Sequence, residues 1–477
     1  MAKIIEFLTN AINFTNDALY TYILIILLAI GGIYFTVRTK ATQVTSIPEQ
    51  LRVVTEKPSD KKAVSSLNAL MVSTASRVGT GNIIGVSAAL CFGGFGSVFW
   101  MWVIALIGGA SAFVESTLAQ IYKKKGPNCS YGGPAYYIEA TLKCRWLAVI
   151  FSIFLILTYG VGFNMLASFN LQSTFKEFNF YNASVTPWVI GGIISVLVGF
   201  CLFGGGKRII KVTGFMVPVM GIAYILVALI VMCINITTIP SVIARIFTEA
   251  FDFTSIFGGF TGSCIMYGIK RGLFSNEAGI GSAPNASAAA DVKHPVKQGL
   301  VQILSVFIDT LVICTATAFM CMCSGVEPFT TGDSPANDYI LAVMRATLGG
   351  FGPIFLAIAM MLFAFTTLLG NLFYVNQSIT HILKKPATKN FNAVYYVLAS
   401  LLVFVGAGLS SDMLWGIADI TMGLMALINI PVILYLSKYA FRALKDYKDQ
   451  KKQGLDPVFI AKKIGVKEET DYWKENN

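Results

Sequence analysis

Long apolar stretches separated by short polar loops run along most of the 477-residue chain. A bilayer core of roughly 30 Å requires about 20 apolar residues in a helix, and eleven stretches approach that length. They are predicted near residues 18–36, 66–94, 96–121, 146–170, 186–203, 210–235, 256–288, 299–323, 350–374, 391–408 and 412–437. The pattern therefore predicts an all-α membrane protein with eleven transmembrane helices.

The distribution of basic residues predicts the orientation of these helices. Lys and Arg accumulate in the cytoplasmic loops of membrane proteins, and the net charge of this chain is +11. With the N-terminus outside and the C-terminus in the cytoplasm, only Lys3, Lys176 and Arg245 fall in outer loops. The positive charge thus has a topological explanation, and no nucleic-acid partner is expected.

The second and seventh stretches are rich in Gly, Ser, Asn and Ala, and they share a spacing. Arg is followed by Asn five residues on and by Gly three further, at Arg77, Asn82 and Gly85 and again at Arg271, Asn276 and Gly279. Two units with an odd number of spans have opposite orientations, which is the inverted repeat of many secondary transporters. The predicted units are residues 1–65 (N-terminal helix and cytoplasmic loop), 66–236 and 237–437 (two inverted five-helix repeats, each with a broken helix) and 438–477 (basic cytoplasmic tail).

The glycines of these two stretches predict interrupted helices. Each glycine costs about 1 kcal/mol in a helix interior, and unwound backbone at membrane depth is tolerated only where it lines a cavity or is buried in protein. Such backbone offers carbonyls to a cation and helix N-termini to an anionic group. A zwitterionic amino acid plus sodium fits that chemistry; the alternative is that the glycines only allow close helix packing.

Composition narrows the possible functions further. The chain is 55% hydrophobic and 13% charged, which is typical of a protein that faces lipid. The two histidines, His294 and His381, fall in predicted loops, and neither a P-loop nor a zinc motif is present. An enzyme, a resident cofactor and an ATP-driven pump are therefore not expected. An ion channel is the alternative from another class, although it would need a repeated carbonyl filter or a ring of charges.

At these motifs the chain resembles the alanine or glycine:cation symporter family (sodium:alanine symporters), which has a leucine-transporter-type fold. The resemblance covers nearly the whole chain and is carried by RGLFSNEAGIGSAPNASAAA at 271–290, VGTGNIIGV at 78–86, GGPAYYIE at 132–139, FAFTT at 363–367 and ADITMGLMALIN at 418–429. It implies sodium-coupled symport of a small neutral amino acid, alanine or glycine, by alternating access across a plasma membrane, with a bacterial source expected.

The resemblance also implies site residues. The expected sodium ligands are backbone carbonyls near Ala75 and Val78 and the hydroxyls of Thr366 and Thr367; the alternative for the threonines is hydrogen bonding to their own helix. The expected substrate residues are Thr80, Gly81 and Asn82 for the carboxylate, Ser275, Asn276 and Gly279 for the ammonium, and Phe274 and Asn371 for the side chain.

Charged residues within the membrane are candidates for gating or ion pairing because each is expensive to bury there. They are Arg77, Glu115, Lys270, Arg271, Glu277, Asp309 and Asp419. Arg77 is expected to pair with Glu115 or Glu277 rather than to hold the substrate. Asp309 is expected to pair with a base, or else to gate or bind a proton. Lys270 and Arg271 are expected to line a cytoplasmic exit or gate.

One departure from the family pattern affects the substrate. Many members carry Trp where this chain has Asn371, so a pocket wall there becomes roomier and able to hydrogen-bond. Glutamine or serine thus stays open beside alanine and glycine. Proton coupling through Asp309 or Glu277 is the alternative to sodium, which Thr366 and Thr367 favour.

Overall fold

A computed structural model of the protein describes residues 12, 14–16, 18–58, 63–126, 129–252 and 264–474. Part of the predicted seventh stretch (256–263), Lys3 and the last three tail residues lie outside these ranges. Within them, the regular structure is helical apart from isolated bridges between Val64 and Ala290 and between Lys124 and Tyr131. The prediction of an all-α protein is confirmed.

The helices follow the predicted stretches closely. In chain order they are α1 Ile25–Arg38, α2 Thr42–Thr45, α3 Ile47–Val54, α4 Ser66–Arg77, α5 Gly81–Gly93, α6 Ser97–Ile121, α7 Pro134–Leu142, α8 Arg145–Ser173, α9 Thr186–Leu202, α10 Gly205–Ile234, α11 Ile239–Ala250, α12 Cys264–Asn276, α13 Pro284–Ser287, α14 Pro295–Met322, α15 Pro335–Leu348, α16 Phe351–Leu383, α17 Lys389–Gly406 and α18 Ser411–Lys452. Short 3₁₀ turns follow α10 and α18, at Ile236–Thr238 and Ala461–Ile464.

Eleven membrane crossings can be assigned among the described residues. Seven helices are long and apolar enough to cross a membrane: α6, α8, α10, α14, α16, α17 and α18. Helix α1, together with the π-helical turn Leu19–Leu24 that leads into it, and helix α9 are shorter apolar crossings. The pairs α4–α5 and α12–α13 each form one crossing that is broken in the middle, as the glycine-rich stretches predict.

The first break is short. Helix α4 starts at the N-cap Ser65, whose Oγ accepts the Asn68 N–H at 3.1 Å, and the helix path changes at Val78, where ψ is 88°. A Cβ on Gly79 would overlap Thr367 Oγ1, so only glycine fits there. Helix α5 then opens with a π-helical turn rather than the unwound stretch that its glycines predict. Such turns are often found at functional sites.

The second break is longer and depends on left-handed backbone. Glu277, Gly279 and Gly281 have φ angles of 54°, 85° and 88°, a conformation that glycine adopts without steric cost. Pro284 restarts the chain as α13 from the N-terminal position that suits proline. The segment between Asn276 and Pro284 therefore exposes backbone groups that need partners within the protein.

The basic loops meet at one end of the helix bundle, called the basic end below. There, the Lys297 ammonium pairs with Glu56 at 2.9 Å, and Lys123 Nζ donates to the carbonyl of Ala290 at 2.9 Å. Burial lowers the pKa of Lys123 to about 7, although the nearby Asp291 carboxylate opposes this. The ion pairs of the few outer-loop bases, such as Lys176 with Asp338 at 3.3 Å, lie at the opposite end.

The C-terminal tail docks on the basic end. Helix α18 runs through the predicted boundary at 438 before the chain folds back. The Phe459 N–H then donates to the Lys293 carbonyl at 3.0 Å, and Trp473 Nε1 donates to the Gln120 carbonyl at 2.8 Å. The tail is predicted to be cytoplasmic, and its described part contacts the ends of the helices.

Candidate functional site

A small cavity lies where the two broken crossings meet. It is lined by Ser76, Arg77, Gly79, Thr80, Gly81, Phe163, Phe274 and Thr367. Its volume of about 10 Å³ is roughly that needed for one water molecule. The structure therefore has a closed central site, which an amino acid would have to widen.

The predicted ion ligands are only partly brought together. Thr367 Oγ1 lies 3.1 Å from the Ala75 carbonyl oxygen, directly beside the first break at Val78. Thr366 Oγ1 instead bonds to the Leu362 carbonyl of its own helix at 2.9 Å. Successive residues of a helix point about 100° apart, so only one of the two threonines faces α4.

Arg77 faces the cavity with unused hydrogen-bonding capacity. Its Nη1 donates to Gln302 Oε1 at 2.8 Å, whereas Nε and Nη2 are buried without a hydrogen-bond partner in the described part of the chain. Gln302 is thus its hydrogen-bond partner among the described residues, whereas the predicted partners Glu115 and Glu277 form no direct ion pair with it and interact with its charge at longer range. A buried guanidinium with free N–H groups is suited to a carboxylate.

Asn82 and Ser275 converge on Asp309 from the two broken crossings. Asn82 Nδ2 lies 2.7 Å from Asp309 Oδ1 and 3.1 Å from Ser275 Oγ, and Ser275 Oγ lies 2.7 Å from Asp309 Oδ2. Thr310 donates to the same carboxylate at 2.8 Å. No base forms a direct ion pair with Asp309 among the described residues: the groups that hydrogen-bond to its carboxylate are polar and uncharged, and Arg77 interacts with it only at longer range. Asn82 Oδ1 also accepts the N–H of Gly79 at 2.7 Å, which fixes the first break.

Glu115 holds the second break. Its carboxylate accepts the N–H groups of Gly279 and Gly281 at 3.3 and 3.1 Å and the side-chain amide of Asn429 at 2.9 Å. The Asn429 amide also donates to the carbonyl of Gly279 at 2.8 Å. Asn276 Oδ1 accepts the Ala278 N–H at 3.0 Å. These contacts supply the partners that the exposed backbone requires.

A polar floor lies between the cavity and the basic end. The Ser76 hydroxyl is 2.6 Å from Asn371 Oδ1 and 3.1 Å from Glu277 Oε1. Asn371 Nδ2 donates to Asn164 Oδ1 at 2.8 Å. Asn371 does not line the cavity itself, because Ser76 stands in front of it. Glu277 also accepts a hydrogen bond from Ser282 at 2.7 Å.

Aromatic rings cover the cavity on the other side. The centroid of the Phe274 ring lies 4.4 Å from that of Phe163 and 4.8 Å from that of Trp415. The Arg271 guanidinium lies 4.1 Å from the Trp415 ring and pairs with both Asp419 oxygens at 3.2–3.3 Å. The packed, mutually tilted rings and this ion pair close the route from the opposite end.

Lys270 and Arg271 therefore lie away from the basic end. Lys270 pairs with Asp419 at 2.9 Å, beside a cavity that Ser334 and Ser411 of the opposite-end loops also line. The two bases therefore line no exit at the basic end, which the sequence predicts to be cytoplasmic. The other part of that prediction, that they line a gate, stays a prediction, with the gate at the opposite end. Helix α12 runs from the opposite end to the second break. Its bases, Lys270 and Arg271, therefore lie between the opposite end and the central site.

Several residues of the site have no sequence signal that would have identified them. Ser76 and Gln302 belong to no repeated motif, and Trp415 lies on the same helix as the ADITMGLMALIN block but just outside it. Phe163 follows a glycine-rich π-helical turn in α8, and that irregularity is the only hint of a functional position.

Two interrupted helices that meet at a closed polar cavity in a helical membrane core define a secondary transporter of the inverted-repeat class. The solved structure of MhsT in complex with L-phenylalanine has the same fold, with a TM-score of 0.55 and 14% identity over 81% of this chain and 99% of that one.

Sequence comparisons give the family. Residues 5–461 match the sodium:alanine symporter family. The amino-acid carrier protein AlsT and the probable sodium/glutamine symporter GlnT of Bacillus subtilis are each 43% identical, over 98% of both chains for AlsT and 95% and 94% for GlnT. The sodium/proton-dependent alanine carrier protein of Bacillus sp. strain PS3 is 36% identical over 89% of this chain and 97% of its own.

The chain belongs to the sodium:alanine symporter family. Family and fold together support secondary active amino-acid symport in a bacterial plasma membrane. The resemblance seen in the sequence is confirmed.

Proposed function

We propose that the protein couples the inward movement of sodium to the uptake of a small neutral amino acid, alanine or glycine, by alternating access. The observation that carries this proposal is the Thr367 hydroxyl 3.1 Å from the Ala75 carbonyl, beside a cavity that the Arg77 guanidinium faces. Oxygen donors suit a hard cation, and the carbonyl of Val78 at the break is the proposed third ligand.

The substrate would be held by its charged ends. The free N–H groups of Arg77 and the N-terminus of α5 at Gly81, with Thr80, would bind the carboxylate. Acceptors around the second break, at Ser275, Asn276 and Gly279, are the proposed partners of the ammonium.

Aromatic walls limit the size of the substrate side chain. The rings of Phe163 and Phe274 bound the cavity, and a Cβ on Gly81 would lie 2.8 Å from the Phe274 ring. This crowding favours alanine or glycine. Glutamine or serine is the second candidate, which is favoured by the carboxamides of Asn371 and Asn164 behind Ser76.

Proton coupling is the alternative for the ion. The buried Asp309 carboxylate contacts Asn82 and Ser275, each on one of the broken crossings. A cation or a proton at Asp309 would therefore link ion binding to the position of both breaks. In the sodium-coupled account, this cluster is a second place where the ion is stabilised.

A matched pair of variants tests the ion site. Thr367→Val keeps the side-chain shape but removes the hydroxyl at Ala75, so we expect the sodium concentration for half-maximal uptake to rise about tenfold. Thr366→Val is the control, because that hydroxyl bonds to its own helix, and we expect a change below about twofold. Uptake into proteoliposomes at varied sodium measures both. Equal shifts in the two variants, or no shift in Thr367→Val, would contradict the assignment.

A further inference from the structure

A second and larger cavity opens at the basic end, outside the central site. Its volume is about 470 Å³, within the range of about 300–1,000 Å³ for small-molecule pockets. Asn68 of α4, Lys207 of α10, Phe373 and Gln377 of α16 and Tyr396 of α17 line it. Each of the four helices that surround it thus contributes a side chain. We call it the basic-end vestibule.

The vestibule contains one cation without an ion-pair partner and two hydrogen-bond acceptors without a donor, as judged from the described residues. Lys207 is the one charged side chain that lines it, it is exposed, and no carboxylate pairs with it among the described residues. Gln377 is only 5% exposed, and its Oε1 accepts no hydrogen bond from the described residues. Asn392, which also lines the vestibule, has a buried Oδ1 that likewise finds no partner in the part of the chain that the structure describes.

These groups match the two ends of a free amino acid. The Lys207 ammonium would attract a carboxylate, and the unpartnered carbonyl oxygens of Gln377 and Asn392 would accept hydrogen bonds from an ammonium group. Leaving a buried acceptor unpaired is unfavourable, so a ligand that donates hydrogen bonds to these oxygens gains binding free energy. The aromatic rings of Phe373 and Tyr396 provide apolar wall for the carbon atoms.

The vestibule lies on a direct line from the central site. Along α16, Thr367 borders the central cavity and Gln377 borders the vestibule, about 15 Å further at 1.5 Å per residue. Between them stands the floor of Ser76 and Asn371. A substrate that passes this floor arrives beside Gln377.

We propose that the vestibule is a second binding site for a zwitterionic amino acid, which the substrate occupies on its way between the central site and the basic end. This proposal rests on the proposed transport function and adds a site to it. Binding there does not involve the ion ligands at Ala75 and Thr367, so it does not require sodium.

Cys129 lines the vestibule and reports on its occupancy. Burial raises the pKa of its thiol and the Lys207 ammonium opposes that shift, so each variant is compared with itself, with and without ligand. The full-length protein is treated with N-ethylmaleimide in sodium-free buffer, with or without L-alanine, glycine or L-glutamine. Peptide mass spectrometry then gives the labelling rate at Cys129. A ligand at about ten times its Kd should slow labelling about tenfold.

Variants test whether Lys207 and Gln377 bind the ligand that protects Cys129 from labelling. Lys207→Gln and Gln377→Leu should each weaken binding about tenfold, so protection at the same ligand concentration falls to about twofold. Lys207→Arg should restore it. Lys211→Gln is the matched control, because Lys211 lies on α10 but does not line the vestibule, and it should keep full protection.

The outcomes separate this proposal from the proposed function. If the amino acids protect Cys129 only when sodium is present, binding at the central site closes the vestibule. That result would overturn the proposal of a second binding site. Protection that Lys207→Gln leaves unchanged would overturn it as well. Sodium-driven uptake is measured in parallel on the same protein: its absence in the wild type contradicts the transport proposal, whatever happens at Cys129.

Discussion

Asp309→Asn is expected to lower sodium-driven amino-acid uptake about a hundredfold. The variant keeps the size of the side chain but removes the negative charge that Asn82, Ser275 and Thr310 surround. Within the membrane, a fixed carboxylate stabilises a nearby cation by several kcal/mol relative to an amide, and about 2.7 kcal/mol corresponds to a hundredfold change. Initial rates of uptake into proteoliposomes measure the effect.

The control for this variant is Asp333→Asn. Asp333 is exposed in the loop before α15, so its charge is screened and its loss should change uptake less than about twofold. Unaltered uptake in Asp309→Asn would show that the carboxylate is structural. Asn82 and Ser275 would then be holding the helices together rather than serving ion coupling.

Glu115→Ala is expected to abolish uptake and to destabilise the protein by about 3 kcal/mol or more. The substitution removes the acceptor of the Gly279 and Gly281 N–H groups and of one N–H of the Asn429 amide, whose other N–H still donates to the Gly279 carbonyl. Each buried polar group left unpaired costs about 1–3 kcal/mol. Because Gly279 has a φ of 85°, this part of the second break has no helical hydrogen bonds to replace those contacts. The apparent melting temperature in detergent measures the loss of stability.

Two further variants show whether the Glu115 side chain acts as an acceptor. Glu115→Gln keeps one carbonyl oxygen, so its stability should lie between that of the wild type and that of Glu115→Ala. Glu327→Ala is the control, because it removes a carboxylate whose side chain is 75% exposed. A surface ion pair of this kind contributes about 0–1 kcal/mol, so this variant should lose no more stability than that. If Glu115→Ala melts like the wild type, the carboxylate does not hold the break.

The repeated Arg–Asn–Gly spacing predicts both broken helices. Its two asparagines make the same kind of contact in the structure. Asn82 Oδ1 accepts the N–H of Gly79, and Asn276 Oδ1 accepts the N–H of Ala278. In each crossing the asparagine thus satisfies a backbone donor within the break. The spacing could be read from the sequence because glycine and asparagine are the residues that suit interrupted helices.

The partners of the repeated arginines could not be predicted in the same way. Arg77 reaches Gln302, whereas Arg271 reaches Asp419 and Trp415. Gln302 lies in the other predicted repeat from Arg77, whereas Asp419 and Trp415 lie far along the same repeat as Arg271. Which side chains meet therefore depends on how helices distant in sequence pack against each other. Sequence spacing along one helix contains no information on that contact.

The two neighbouring threonines show another limit of prediction from sequence, namely which of two adjacent side chains faces the site. Both Thr366 and Thr367 are predicted as sodium ligands, yet only Thr367 contacts α4. Neighbouring helix residues differ by about 100° in direction, so one of the pair had to face elsewhere. Which one does so depends on the rotation of α16, which is fixed by packing; a Cβ on Gly370, for example, would lie 2.7 Å from the Ser76 backbone nitrogen.

The most direct test of the central claim is uptake of radiolabelled alanine, glycine and glutamine into proteoliposomes containing the wild-type protein. An inward sodium gradient is compared with an inward proton gradient in sodium-free buffer, and an ionophore collapses each gradient in turn. We predict that alanine or glycine accumulates only while the sodium gradient lasts. Accumulation that follows the proton gradient without sodium, or equilibration with no accumulation under either gradient, would contradict sodium-coupled symport.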